Sequence, residues 1–456
     1  MGTSFMRVVV CGAGIAGVAA AYHLAVEHGL ADVILVEQGD PLSLTSDKST
    51  EAYRNWWPGP DRAMTAFMNR SIDLIEEIAR TTHNRINLNR RGYAFATADP
   101  AKIAFLDSMA QSAEARGGGA ARHHDSVQSA YVPSPERGFD FALTGADLIT
   151  NRALIQRHFP DLAPETVAVA HVRRAGWMSA QQLGMVMLER ARAHGVKLLR
   201  RRVVGINTAG GRVRGVEVDG KEGPQTLPAT HVILAGGPMQ MELARMVGTE
   251  LPLRAEPQFK VSFPDTLGGL ARSAPMLIWL DEQHLPWTDE ERAALVDDPA
   301  AAWLLEAFPA GVHGRPEGGS TTMILFNYRD GRVADPTFPL RDPEHYAEIA
   351  LRGMSTMVPA LKAYEATTFR PYVDGGYYIR TEENRPLIGP LSTEGAYVSC
   401  AYSGFGIMAS CAGGELVACH VAGKALPDYA PSFLPSRYQD PAYITLLDSW
   451  GDDGQL

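Results

Sequence analysis

Val8-Val9-Val10 is a continuous apolar run, the pattern of a strand covered on both faces. Glycines at 12, 14 and 17 interrupt it, and a helical stretch over Val18–Glu27 and a second apolar run at Val33–Val36 follow. Asp61–Arg80 sets Met64, Phe67, Met68, Ile72, Ile75 and Ile78 on one side at helical spacing. Arg91–Ala96 alternates and predicts a strand, and Ala180–His194 returns to the helical period. Lys197–Val204 then reads as a strand, and Gly205–Val218 as a hairpin turning at Gly210-Gly211. The strand His231–Ala235 runs straight into Gly236-Gly237-Pro238. Between 255 and 370 the segments Phe259–Phe263, Pro275–Leu280 and Thr321–Tyr328 predict a mainly antiparallel sheet. A nucleotide domain is thus expected to begin at the N-terminus, resume near residue 170 and close at the C-terminus.

The opening unit is strand, glycine turn, helix, strand, with Gly12, Gly14 and Gly17 forming GxGxxG. Gly12 permits the tight turn, Gly14 lets a pyrophosphate approach the backbone, and Gly17 lets helix and strand pack closely. The helix start (Ala13, Ile15, Ala16) offers free N–H groups and a positive dipole end to phosphates. Glu37 lies 20 residues after Gly17, followed by Gln38. There its carboxylate can accept both ribose hydroxyls and would repel a 2′-phosphate. The unit predicts dinucleotide binding and does not by itself separate FAD from NAD.

Composition narrows the class. A chain of 456 residues, 45% hydrophobic and 21% charged, is long enough for two domains. Its formal net charge of −10, with no basic domain, excludes a nucleic-acid or anionic-membrane surface. The four cysteines form no CxxC pair and no metal-ligand spacing, so no metal is expected and reduced thiols in the cytoplasm are. Val8–Val26 lacks charged residues, but its glycines and strand–turn–helix pattern argue against a membrane span. The opening Met-Gly is no myristoylation signal, since Met6 stands where Ser or Thr is wanted.

Three later stretches add to GAGIAG and Glu37: HVILAGG (231–237), NRPLIGP (384–390) and AYSGFGIMASCAGGELVA (401–418). Together, and in this order, they resemble the flavin-dependent family of D-amino-acid oxidase, glycine oxidase and sarcosine oxidase. The resemblance implies an α/β fold (α+β overall) in which a Rossmann-like FAD-binding domain is interrupted by a mainly antiparallel substrate domain. It assigns residues 1–85, 170–240 and 376–435 to FAD, 86–169 and 241–375 to substrate, and 436–456 to a tail. Val203 then matches the residue whose backbone meets adenine, and Ala235 and Gly236 a strand end passing close to the cofactor. Gly404, Phe405, Gly406, Ile407 and Met408 match the loop and helix start beside the flavin pyrimidine. A helix N-terminus aimed there would stabilise negative charge on the reduced ring.

The family pattern S-x-x-S-x-G-x-x-R appears as Ser46, Ser49 and Arg54, with Glu51 where glycine is usual. The resemblance makes Ser46, Ser49 and Thr50 cofactor contacts, Lys48 a charge partner near the flavin, and Arg54 a residue at the active-site mouth. Glu51 leaves the local backbone open. Members take a hydride from the carbon next to an amine, giving an imine that hydrolyses; N-alkyl glycines, glycine-like substrates and D-amino acids are the expected classes. A carboxylate anchor suits arginine's planar fork. Arg370, in FRP, matches the anchor of glycine oxidase-like members, Arg380 is a second candidate, and Tyr377 or Tyr378 could add a hydroxyl. The alternative is that these arginines pair with Glu382 or Glu383. Trp56 and Trp57 read as core or as an aromatic wall suited to an amine.

Lys260 stands on a predicted strand, but the family's oxygen-activating lysine comes from a later one, so oxygen and other acceptors both stay open. No cysteine near Gly375-Gly376 and no histidine near Ala180–Gln182 could attach a flavin, so FAD is expected to be held non-covalently. The readings are an FAD-dependent amine or amino-acid oxidase, a dehydrogenase passing electrons to a quinone or protein, or a flavin-binding subunit without turnover. The oligomeric state is open.

Overall fold

The computed structural model describes residues 6–57, 59–220, 223–329, 331–365, 367, 370–448 and 450. The opening Met-Gly, Phe369 of the FRP motif and most of the end of the expected tail lie outside them. Two large sheets organise the rest. The first has six strands in the order Leu387–Pro390, Ala396–Cys400, His231–Leu234, Val8–Cys11, Val33–Glu37 and Lys197–Arg200. All run parallel except Leu387–Pro390, which is antiparallel to its neighbour.

Both faces of this sheet are covered, which explains its unbroken apolar runs. Val8, Val10, Val33 and Leu35 pack on one side against the helices Ile15–Tyr22, Ala63–Thr81, Ala180–Ala193 and Gly406–Ala422. Val9, Cys11, Ile34 and Val36 face a three-stranded meander of Val203–Ala209, Arg212–Val218 and Gln225–Pro228. The expected strand over 197–204 is split: Lys197–Arg200 stays in the six-stranded sheet and Val203 starts the meander. The N-terminal helix begins at Ile15 and continues through a π-helical turn, His23–Glu27. Helix Ala63–Thr81 starts two residues later than its apolar spacing predicts, where the Asp61 carboxylate accepts from the Ala63 N–H at 2.9 Å.

The second sheet has nine strands, ordered Tyr372–Arg380, Arg254–Pro264, Thr321–Leu325, His313–Pro316, Met276–Trp279, Tyr93–Thr97, Ala168–Val172, Ala146–Ile149 and Ala121–His124. It is antiparallel except between Met276–Trp279 and Tyr93–Thr97 and between its last two strands. Ala168–Val172 and Tyr372–Arg380 cross the expected domain boundaries at 170 and 376, and both pair within this sheet. A two-stranded pair, Ala52–Arg54 with Ala175–Trp177, lies between the large sheets. Val8–Val26 folds as strand, turn and helix. Among the described residues, the one helical stretch long and apolar enough to cross a membrane, Ser403–Ala422, is mostly buried in the protein.

Candidate functional site

Three cavities follow one another along the carboxyl ends of the parallel strands and into the space between the sheets. The first, of about 240 Å³, is lined by Glu37, Gln38, Arg201 and Val203 among others. The second, of about 130 Å³, takes in Gly12, Gly14, Ile15, Ala16, Ser46, Ala235, Gly236 and Gly406. They share Gly12, Glu37, Leu44 and Gly236, so they form one groove.

Glu37 ends its strand with one carboxylate oxygen accepting from the Ala13 N–H at 2.8 Å and the other from the Gly39 N–H at 2.9 Å. This fixes the acid over the glycine turn. Gly12 has φ +106°, and a methyl group there would collide with the Ala235 carbonyl oxygen; one on Gly17 would collide with the Gly12 carbonyl. Those two glycines are demanded by packing. Gly14 is different: an added methyl would meet only the Ser46 hydroxyl, at 3.4 Å, so its open side faces the groove. Ser46 Oγ accepts from the Ile15 N–H at 3.0 Å. The helices starting at Ile15 and Gly406 both lack a side-chain cap from the preceding residue, and both starts line the groove. Ala401 (φ +62°) and Ser403 (φ +48°) hold left-handed backbone just before the second helix, strain that shapes its start.

The third cavity, of about 390 Å³, lies between the Gly404–Met408 segment and the nine-stranded sheet. Thr50, Arg54, Trp57, Tyr93, Tyr378, Arg380, Gly404, Phe405 and Met408 line it. Arg54 is only 6% exposed. It donates from Nε to the Trp56 carbonyl at 3.1 Å and lies 4.7 Å above the Trp57 ring and 5.7 Å from that of Tyr93. No carboxylate among the described residues pairs with it, and burial lowers its pKa. Burial pushes the Tyr93 and Tyr378 hydroxyls up to about 12, which keeps both phenols neutral.

The strand Tyr372–Arg380 alternates, and this sorts its candidates. Tyr378 and Arg380 face the large cavity, whereas Tyr377 donates to the Thr337 carbonyl at 3.0 Å and lines the groove instead. Arg380 reaches Glu256 at 3.2 Å. Arg370 is exposed and lines none of these cavities, so the structure takes it out of the expected anchoring position. Arg54, expected at the mouth, stands at the buried end.

The other expected cofactor residues divide. Ile407 is buried in the helical core, and Ser49 donates no surface to the three cavities; its hydroxyl accepts from the Glu51 N–H at 2.9 Å. Lys48 lies in a separate cavity of about 240 Å³ beside Gly375 and Gly376. Burial opposes its charge, but Asp47 at 2.7 Å and Asp374 at 3.2 Å outweigh burial and raise its pKa. Trp56 packs on Phe95 in the core, while Trp57 forms the cavity wall, edge-on to Phe405 at 4.7 Å. Lys260 is buried and donates to the Ser49 carbonyl at 3.0 Å. Glu51 keeps the backbone that glycine would adopt, with φ +61°, and its carboxylate accepts from the Ala180 N–H at 2.8 Å and meets Arg315 at 3.3 Å.

Sequence reasoning missed Arg254, Glu256, His313, Arg329 and Arg332, all of which line the large cavity. The alternation Arg254, Glu256, Gln258 was the available signal: three polar residues on one face of a strand.

A two-sheet fold with a nucleotide groove along the parallel strands and a substrate-sized cavity beside the Gly404–Met408 segment is the arrangement of a dinucleotide-dependent enzyme. A family model described as FAD dependent oxidoreductase (DAO) matches residues 7–420, and the chain belongs to that family. It is an FAD-dependent oxidoreductase. Solved structures share the fold over nearly the whole chain. The L-proline dehydrogenase from P. horikoshii is 19% identical with a TM-score of 0.72, covering 95% of this chain and 98% of that one. The glycine oxidase from Geobacillus kaustophilus is 18% identical (TM-score 0.70, 94% and 98% covered). The iminodiacetate oxidase from Chelativorans sp. BNC1 is also 18% identical (0.68, 94% and 99%). No curated protein matches the sequence. The open side of Gly14, the two helix starts that line the groove and the fixed Glu37 carboxylate fit FAD.

Proposed function

We propose that this enzyme oxidises the C–N bond of an amine that carries a carboxylate, giving an imine that hydrolyses to a carbonyl compound. The observation that carries the reading is Arg54: a buried guanidinium without an acidic partner among the described residues, facing a cavity beside the Gly404–Met408 segment. Its neighbours are the neutral Tyr93 hydroxyl and the Trp56 carbonyl, so its charge is left for a carboxylate to neutralise. Tyr378 would offer a neutral hydroxyl to the amine or carboxylate, and Trp57 an aromatic wall. Arg380 would act at one remove, through Glu256.

FAD, when bound, supplies the two-electron acceptor. Glu37 would hold its ribose, Gly14, Ile15 and Ser46 its pyrophosphate, and the Gly406 helix start its ring. The protein's part in the chemistry is to orient the substrate's C–H bond and exclude water. Non-covalent attachment follows from the absence of cysteine and histidine at the positions that attach flavin in some members, and acid precipitation should release yellow flavin into the supernatant. A cytoplasmic location fits the four free thiols. The deciding experiment is anaerobic bleaching of the holoenzyme across amines and amino acids of both hands. Bleaching by amines with a carboxylate, and not by those without one, supports the reading; bleaching by neither class refutes it. Peroxide release on reoxidation distinguishes an oxidase from a dehydrogenase with a quinone or protein acceptor.

A further inference from the structure

Among the described residues, five arginines and two glutamates line the large cavity, an excess of three positive charges. One substrate carboxylate needs one cation, so most of this surplus is unused by the reading above. Three of the arginines are matched where they stand. Arg254 meets Glu256 at 3.1 Å and also pairs with Glu382, Arg380 meets Glu256 at 3.2 Å, and Arg332 reaches Glu382 at 3.6 Å.

The other two are built differently. Arg54 lies over Trp57 at 4.7 Å and Arg329 over Trp303 at 3.9 Å, and neither has an acidic partner among the described residues. An aromatic face holds a guanidinium flat and leaves its N–H edge free for a planar anion. Arg54 occupies the buried end of the cavity and Arg329 its exposed rim.

Resting on the carboxylate-bearing amine read above, we propose that the substrate is a dicarboxylic amine, one carboxylate held by Arg54 inside and the second by Arg329 at the mouth. Net charge points the same way. A monocarboxylic amino acid is a zwitterion with no net charge, whereas its dicarboxylic counterpart is an anion at neutral pH. A cavity with surplus positive charge concentrates only the second.

The test uses the holoenzyme under anaerobic conditions and pairs of amines that differ by one carboxylate. Iminodiacetate is set against sarcosine, and aspartate and glutamate of both hands against asparagine and glutamine. The dicarboxylate should half-bleach the flavin at about tenfold lower concentration than its partner, the value of one charge-assisted pair. Added salt should narrow that gap. In Arg329→Ala, whose side chain is exposed and outside the core, the gap should shrink to about threefold or less. Binding without turnover gives a second readout: succinate should perturb the flavin spectrum at about tenfold lower concentration than propionate. Equal bleaching by both members of every pair, or a gap untouched in Arg329→Ala, overturns the inference and leaves the proposed function intact. No bleaching by any of these pairs, while other amino acids bleach, overturns the inference alone; no bleaching by any amine or amino acid overturns both.

Discussion

Gly413 and Gly414 are neighbours in the helix Gly406–Ala422, yet a methyl group added at each meets a different obstacle. At Gly414 it would lie 2.6 Å from the carbonyl carbon of Ala19, on the backbone of the helix Ile15–Tyr22. At Gly413 it would strike the hydroxyl end of the Tyr402 ring, a side chain that can shift where backbone cannot, at the cost of its 2.7 Å hydrogen bond with Ser399. Either change to alanine gains about 1 kcal/mol of helix propensity. For Gly413→Ala the lost hydrogen bond, about 1 kcal/mol, cancels that gain. Gly414→Ala must push two helices apart, at the upper end of overpacking costs, about 3 kcal/mol, for a net loss of about 2 kcal/mol. For a chain of 456 residues, at roughly 1 °C per kcal/mol, the melting temperature should fall by about 2 °C. Both helices start at the cofactor groove, so the Gly414→Ala protein should also lose flavin on gel filtration. Thermal melts followed by near-UV circular dichroism, with the flavin-to-protein absorbance ratio, measure both effects. A Gly414→Ala protein that melts at or above wild type with its full flavin content would refute the reasoning.

Arg54→Met should keep FAD and weaken substrate binding by about 1.5–3 kcal/mol, roughly 10- to 150-fold in the concentration for half-bleaching. Burial lowers the pKa of Lys260, so the folded state favours the neutral amine; its stabilising contribution is present above the ordinary lysine value of about 10.4 and is lost as pH falls through the lowered one. Lys260→Met should therefore raise the melting temperature at pH 7 and lose that advantage as the pH approaches 10.4, which melts at several pH values will show. Glu51→Ala and Glu51→Gly both remove the carboxylate from Ala180 and Arg315, and both should melt below wild type. The glycine variant should be the more stable of the two by about 1 kcal/mol, the cost of left-handed backbone for a residue with a Cβ.

The nucleotide unit was legible because local rules dictate it. The turn at Gly12, the close contact at Gly17 and the acid at Glu37 each follow from backbone geometry within one βαβ segment. The Gly404–Met408 segment was legible through its resemblance to known flavoproteins. The substrate end was not. Arg370, Arg380 and Arg54 are equivalent as letters, and only the crossing of Tyr372–Arg380 with Arg254–Pro264 decides which faces the cavity. Arg254 and Glu256 reach that cavity from a strand whose polar alternation is overshadowed by the apolar run that follows it. Trp56 and Trp57 show the same limit: neighbours in sequence, they part into core and cavity wall because a strand end sends successive side chains to opposite sides.

Arg315 is fully buried, and it donates to the Thr50 carbonyl from Nε at 3.1 Å and from Nη2 at 2.7 Å while also meeting Glu51. It belongs to the nine-stranded sheet, whereas the segment it grips continues the path of the nucleotide groove. Glu51 adds a second tie by capping the helix Ala180–Ala193, which packs against the six-stranded sheet. The segment is therefore held from both sheets at once. A change at Arg315 or Glu51 should be felt at the flavin as well as in the nine-stranded sheet, and the flavin content of a purified preparation becomes a readout of contacts made well away from the cofactor.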